Sequence, residues 1–418
     1  MKKLIRPSVI RGIVKVPASR SMLRRVIAAG LLSETPVRIS NVTCSDDCSA
    51  ALRVIKALGA QVRFHRDEIF IWGGLRPTGE ILNCGEAGLS LRMFSPIAAL
   101  CHQKLTLTGE GPLLQRPVTM IEKPLKSLGV KVSTSNGYPP LTVKGPLKGG
   151  KATVDGTTAS QLLTGLLMAL PKAPKDSRLK VENLKSIPYI DMTLALLNTL
   201  GIDVQHSNYK TFSIKGMQTF RFPRNEYWVE GDWSGAAFLL AAGAVGGTVT
   251  VTGLDTGSPQ ADRKIIQALE LAGANINVTK STVEVTRKKL KAFHFDAAHC
   301  PDLFPPLVAL ACNCEGKTVL TGVERLIHKE RNRALTLEKE FTAIGGEIRL
   351  SDNQMEITGK RLKGGTIDSH NDHRIAMAGA VAGINISHHV IIEGSECTAK
   401  FYPNFFEDMK SIGASVHN

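Results

Sequence analysis

Leu58-Gly59-Ala60, Leu128-Gly129-Val130, Leu200-Gly201-Ile202, Ala272-Gly273-Ala274, Ile344-Gly345-Gly346 and Ile412-Gly413-Ala414 are six copies of one short signal. Their glycines are separated by 70, 72, 72, 72 and 68 residues. A glycine just past the last apolar position of a helical pattern is a C-cap, because it takes positive φ without steric cost. Each signal therefore ends a helix, and alternating segments such as Gln61-Val62-Arg63-Phe64 and Glu347-Ile348-Arg349-Leu350 follow as strands.

Working outward from the glycines, the remaining elements recur in phase. Each capped helix is preceded by a β-rich run, among them Val37-Arg38-Ile39-Ser40 and Thr248-Val249-Thr250-Val251. Upstream lies a small, aliphatic helix, opening at Ser21, Leu89, Ser160, Ser234, Asp302 and Asp372. A short strand leads into it, as at Ile13 to Val16, Ala152 to Asp155 and Thr366 to Asp368. The unit reads βαβαββ, six times. Such a unit buries a face only against its neighbours, so the expected fold is α/β with two domains of three repeats and a cleft between them. The sixth unit ends before its last strand, and Lys3 to Val9 has no role in the first. The N-terminal segment is expected to complete the last unit. That assigns residues 1–18 plus 230–418 to a domain built from both chain ends, and residues 19–229 to an inserted domain.

Composition narrows the partner. Lys plus Arg number 52 against 37 Asp plus Glu, a formal net charge of +15, which points to an anionic partner. The longest nearly apolar run, Gly235 to Gly247, falls short of the roughly 20 residues a membrane helix needs. The Met1-Lys2-Lys3-Leu4-Ile5-Arg6 start carries a cation where a secretory apolar region would begin. Eight scattered cysteines show no zinc or disulfide spacing. A cytoplasmic protein is expected, with reduced thiols and no membrane partner.

The turns before the aliphatic helices hold an unusual polar set: Ser19-Arg20-Ser21 with Arg25, Gly88 with Arg92, Ala159-Ser160-Gln161, Glu230-Gly231-Asp232, Pro301-Asp302, and Asn371-Asp372-His373-Arg374. Helix N-termini attract anions. A Ser or Asp there is ordinarily a cap, whereas arginines and glutamine are not. Lys329-Glu330-Arg331-Asn332-Arg333 places three cations at a helix start, against the macrodipole, a conflict that bound anions would remove. Arg116 and Lys400 occupy the equivalent place in units two and six.

On these motifs, together with Gln115-Arg116-Pro117, Pro188-Tyr189-Ile190-Asp191 and Cys397-Thr398-Ala399-Lys400, the chain resembles the enolpyruvyl transferases over essentially its whole length, in particular their EPSP synthase branch. The resemblance implies an inside-out α/β barrel for each domain. It implies transfer of the enolpyruvyl group of phosphoenolpyruvate to the 5-hydroxyl of shikimate 3-phosphate. By motif position Asp302 is the expected base, Glu330 the proton donor and Lys400 an assistant in proton transfer. Arg20, Ser21, Arg25, Ser160, Gln161, Ser186, Tyr189, Asp302 and Lys329 are expected at shikimate 3-phosphate. Arg20, Gly88, Arg116, Gln161, Arg333, Arg374 and Lys400 are expected at phosphoenolpyruvate. His373 is read as orienting Arg374; no metal and no cofactor are expected, and a monomer is.

The chain departs from that family's pattern at Arg20, where Lys is usual, and at Ala159, where Ser is usual. Arg24 adds a charge read as solvated surface, like Lys288, Lys289 and Lys291. Two other readings stay open. One is UDP-N-acetylglucosamine enolpyruvyl transfer on the same fold, against which Arg20-Ser21 stands where that family has Lys-Asn. The other is an anion binder without catalysis or a nucleic-acid binder, against which stands the 5% aromatic content, poor in stacking platforms.

Overall fold

Every one of the six signal glycines stands in the left-handed region just past a helix. Their φ values are 109° at Gly59, 87° at Gly129, 73° at Gly201, 80° at Gly273, 96° at Gly345 and 96° at Gly413. The computed structural model describes residues 1–157, 160–327 and 332–418. It divides into two units, Met1–Pro17 with Glu230–Asn418, and Ala18–Val229.

The described residues contain six four-stranded sheets with one common strand order. In the third repeat, Gly150–Asp155 pairs in parallel with Ser177–Glu182, which pairs antiparallel with Thr211–Ile214, which pairs antiparallel with Val204–Ser207. The parallel pair needs a crossover, supplied by the helix Ser160–Ala169, while Val204–Ser207 and Thr211–Ile214 form a hairpin that needs only a tight turn. Ser177–Glu182 alternates buried and exposed residues along its length, so one face of the sheet meets the core and the other meets water.

Both chain ends enter the sheet of repeat six. Lys2–Arg6 pairs antiparallel with Val390–Glu393 on one side and with Ser415–His417 on the other. The N-terminal strand thus fills the place the repeat lacked. One reading from the sequence needs correction. Ile13 to Val16 belongs to no sheet of repeat one: the strand Ile10–Lys15 pairs in parallel with Gly247–Thr252 of repeat four. The leading strand of repeat one is instead Glu226–Trp228, parallel to Val37–Ser40. The two repeats have exchanged leading strands, each taking the one supplied where the chain passes from one unit to the other.

Because Ile5 is fully buried and its strand is central, deleting residues 2–6 should destabilise the unit containing both chain ends by at least about 3 kcal/mol. Hydrogen exchange checks this: amides of Val390–Glu393 and Ser415–His417 should lose protection while those of Ala18–Val229 keep theirs.

The first helix of each repeat is the core element. In Trp233–Gly246 all residues but Ser234 are buried, and this helix packs with Phe304–Ala311 and His373–Gly383 in the unit of both chain ends. In the other unit Gly88–Ala98 packs on Ser160–Ala169. A Cβ at Gly165 would stand 2.4 Å from the Met93 carbonyl oxygen, so that close approach needs glycine. Helices lie inward with sheets on them, the inside-out arrangement. No helix of the described residues is long and apolar enough to cross a membrane. The eight cysteines are free thiols, seven of them buried.

Candidate active site

In the unit built from both chain ends, the polar residues gather around Asp302. The sequence suggested that a helix opens there. Asp302 instead lies in a 3-10 turn, Pro301–Leu303, ahead of the helix Phe304–Ala311. Pro305 and Pro306 have no N–H to return to the carbonyls of residues 301 and 302, so the first turn tightens. The Asp302 carboxylate then projects toward two arginines. Arg333 donates from Nη1 to Oδ1 at 3.0 Å, and Arg374 from Nη2 to Oδ2 at 3.0 Å.

Arg333 opens the helix Arg333–Ala343, whose N-cap Asn332 accepts from the Leu335 N–H. Its side chain is 1% exposed and also donates from Nε to Asp372 Oδ2 at 2.7 Å. Two carboxylates therefore answer the conflict of a cation at a helix start. Asp372 caps the helix His373–Gly383, its Oδ1 accepting the Arg374 N–H at 3.0 Å. The Arg374 guanidinium lies 4.9 Å from the centre of the Phe401 ring, and the His373 ring lies 5.1 Å from it. Both neighbours thus contact the one aromatic ring. Lys400 Nζ donates to the Asn371 carbonyl at 3.3 Å. Glu230, in the turn before Trp233, accepts from the Ser258 hydroxyl at 3.0 Å, and burial pushes it up to about 7. Lys329 and Glu330 lie outside the described residues. Among the described residues no group of three or more His, Cys, Asp or Glu side chains is placed to hold a metal ion.

In the unit Ala18–Val229 the sequence-derived residues form two neighbouring groups. Ser19 caps the helix Arg20–Leu32. Arg20 Nη1 donates to Asp47 Oδ2 at 3.0 Å, and Arg24 Nη1 forms an ion pair with the same oxygen at 3.1 Å. This corrects the reading of Arg24 as solvated surface: it is 4% exposed, with an acid partner that no motif marked. Arg25 is 1% exposed. It donates to Thr193 Oγ1 at 2.9 Å, the Ser21 carbonyl at 2.7 Å, the Tyr189 carbonyl at 3.0 Å and Thr164 Oγ1 at 3.4 Å. Burial, then Arg24, lowers its guanidinium to about 9, which still leaves a cation at neutral pH. Arg25 thereby ties Ser21 and Tyr189 together, two residues expected at one ligand. Ser186 stands at φ 58° at the head of the helix Ile187–Thr199 without capping it, a strained position of the kind found at ligand sites. Lys288, Lys289 and Lys291 are exposed.

The second group forms around Gly88, at the start of Gly88–Ala98. A Cβ there would come 2.9 Å from Arg92 Nη1, 3.3 Å from Arg116 Nη1 and 3.7 Å from Gln161 Oε1. Arg92 donates to Gln161 Oε1 at 2.9 Å and to the Pro117 carbonyl at 3.2 Å. Burial and the adjacent Arg116 lower it to about 10. Two guanidinium groups beside a helix N-terminus are chemically suited to an anion. Arg92 was absent from the residues expected at a ligand, although its spacing of one helical turn from Gly88 was the available signal. Ser160 begins the helix that carries Gln161, and Ala159 lies outside the described residues.

The family described as EPSP synthase (3-phosphoshikimate 1-carboxyvinyltransferase) matches residues 5–409. A protein of Clostridium novyi named 3-phosphoshikimate 1-carboxyvinyltransferase is 36% identical, over 98% of this chain and 97% of that one. One of the same name from Methanocorpusculum labreanum is 33% identical, over 100% and 99%. The solved EPSP synthase of Acinetobacter baumannii superposes with a TM-score of 0.85 at 26% identity, covering 100% of this chain and 99% of that one. With the repeat, the strand order and the arginine–carboxylate cluster in place, the chain belongs to the EPSP synthase family.

Proposed function

We propose that the protein transfers the enolpyruvyl group of phosphoenolpyruvate to the 5-hydroxyl of shikimate 3-phosphate, releasing inorganic phosphate, and so serves the shikimate route to chorismate and the aromatic amino acids. The observation that carries this reading is the family match over residues 5–409. A cytoplasmic setting suits eight free thiols.

In the chemistry this requires, the 5-hydroxyl oxygen bonds to C2 of phosphoenolpyruvate while its proton passes to Asp302. The C3 methylene takes a proton from Glu330, giving a tetrahedral adduct. Loss of a C3 proton then expels phosphate and restores the double bond. Lys400 assists the proton transfers. Arg333 and Arg374 hold Asp302 as a carboxylate and present cations to the carboxylate and phosphate of phosphoenolpyruvate. Arg20, Gly88, Arg116 and Gln161 also serve phosphoenolpyruvate. Ser21, Arg25, Ser160, Gln161, Ser186, Tyr189 and Lys329, again with Arg20, serve shikimate 3-phosphate. At position 20 an arginine grips phosphate with a fork and holds its proton throughout.

Phosphate release measured with each substrate omitted in turn tests the reading, which requires both. A finer expectation concerns Arg92. Arg92→Met should raise KM for phosphoenolpyruvate by about 10- to 100-fold, the range for losing a hydrogen bond to a charged group, with a smaller change in kcat. An unchanged KM would restrict Arg92 to holding Gln161.

A further inference from the structure

The turn that carries Asn371 and Asp372 into the site is held in an unfavourable backbone shape. His370 and Asn371 stand at φ 50° and 60°, consecutive residues with side chains in the left-handed region. Such positions persist where the surroundings over-determine them. His370 N–H donates to Asp368 Oδ1 at 2.8 Å, Asn371 N–H to Ser369 Oγ at 3.3 Å, and Asp372 N–H to the Ser369 carbonyl at 2.8 Å. Ser369 Oγ in turn donates to the Gly394 carbonyl at 3.1 Å.

The remaining hold comes from Glu340, an acid that the reaction as written does not use. Glu340 is 4% exposed and lies on the helix Arg333–Ala343, which packs against the strand Gly365–Asp368. Its Oε2 accepts the Asp368 N–H at 2.9 Å, and its Oε1 accepts from His370 Nε2 at 2.8 Å. A carboxylate only accepts, so the ring nitrogen is the donor. The other ring nitrogen, Nδ1, lies 3.5 Å from Asp368 Oδ2, and the exposed Lys339 ammonium lies 3.4 Å from Glu340 Oε1. Arg333 precedes Glu340 by about two turns on the same helix face, and it bonds to Asp372 Oδ2 at 2.7 Å. One helix thus grips the turn at both ends, Glu340 at Asp368 and His370, Arg333 at Asp372. Between those grips the Asn371 carbonyl accepts from Lys400 Nζ at 3.3 Å, and Asp372 Oδ1 accepts the Arg374 N–H at 3.0 Å.

We infer that Glu340 and His370 are positioning residues for the transfer: their bond fixes the left-handed turn, and the turn fixes Lys400 and Arg374 for phosphoenolpyruvate. The inference rests on the enolpyruvyl-transfer reading. It predicts a defect confined to one substrate. Both residues placed by the turn serve phosphoenolpyruvate, whereas most groups serving shikimate 3-phosphate are carried by the unit Ala18–Val229.

The test is KM and kcat for each substrate in the wild type, His370→Leu and His370→Gln. Leucine has no donor for Glu340, whereas the glutamine amide nitrogen stands where Nε2 does and donates. The two replacements meet the same backbone constraint at position 370, so their difference reads the hydrogen bond. His370→Leu should raise KM for phosphoenolpyruvate about 10- to 100-fold, the range for losing a hydrogen bond to a charged group. KM for shikimate 3-phosphate should stay within about threefold of wild type, and His370→Gln should bring KM for phosphoenolpyruvate back within about the same margin. Loss of packing alone would move both variants alike, or both substrates alike. A KM for phosphoenolpyruvate that is unchanged in His370→Leu, not rescued in His370→Gln, or matched by an equal rise for shikimate 3-phosphate overturns the inference.

A second arm needs no substrate, so its failure is separate from failure of the functional reading. Amide hydrogen exchange of His370–Asp372 should quicken at least about tenfold in His370→Leu and keep the wild-type rate in His370→Gln. Retained protection of Val390–Glu393 shows that the sheet beside the turn is intact. Unchanged exchange in His370→Leu overturns the inference, while absence of turnover in the wild type overturns only the functional reading.

Discussion

Asp302→Asn is expected to lower kcat for phosphate release on the order of a thousandfold, within the range for loss of a positioned general base. The amide matches the carboxylate in shape and keeps an oxygen for one of the two arginines. It cannot accept the proton of the attacking hydroxyl, and it removes the charge now shared by Arg333 and Arg374 at 3.0 Å each. Steady-state kinetics at saturating concentrations of both substrates measures the loss. Circular dichroism separates it from unfolding, because the Arg333 bond to Asp372 remains. A variant keeping more than about a tenth of wild-type kcat would place the base elsewhere.

Arg333→Met is the second large effect, and it reaches stability as well as activity. The guanidinium is buried and pairs with two carboxylates, Asp302 and Asp372. Removing one member of a buried charge group leaves the others uncompensated, which costs about 3–5 kcal/mol. Urea unfolding should show that loss as a lower midpoint, and phosphate release should fall with it because Asp302 loses one of its two anchors. Arg333→Lys should recover only part of either, since a single ammonium lacks the fork that reaches both acids. A variant of wild-type stability would mean that Asp372 and Asp302 are satisfied without Arg333.

What could be read before the structure follows from how local each signal is. The helix-ending glycines were legible because C-capping is decided within a few residues, and all six adopt positive φ. The place of the N-terminal strand was legible too, because a repeat short of one strand leaves a definite gap. The exchange of leading strands was not: Ile10–Lys15 and Glu226–Trp228 each precede an aliphatic helix, and nothing local says which sheet will pair with them. For the site, the helix-start motifs marked Arg20, Gly88, Asp302 and Arg374. They did not mark Asp47, which turns Arg24 into a buried ion-pair partner across 23 residues of sequence. Nor did they mark Glu340, which meets His370 and the Asp368 amide from another repeat. An acid in mid-helix looks like an ordinary solvated residue until its burial is known.

The central claim is the transfer itself, and following both phosphorus and carbon tests it most directly. With phosphoenolpyruvate, shikimate 3-phosphate and enzyme, 31P and 13C nuclear magnetic resonance should show one inorganic phosphate formed per phosphoenolpyruvate consumed. The shikimate phosphate ester should remain intact, and a new enol ether carbon should appear at the 5-oxygen. Phosphoenolpyruvate left unconsumed, or phosphate released alongside free pyruvate without dependence on shikimate 3-phosphate, would contradict the account.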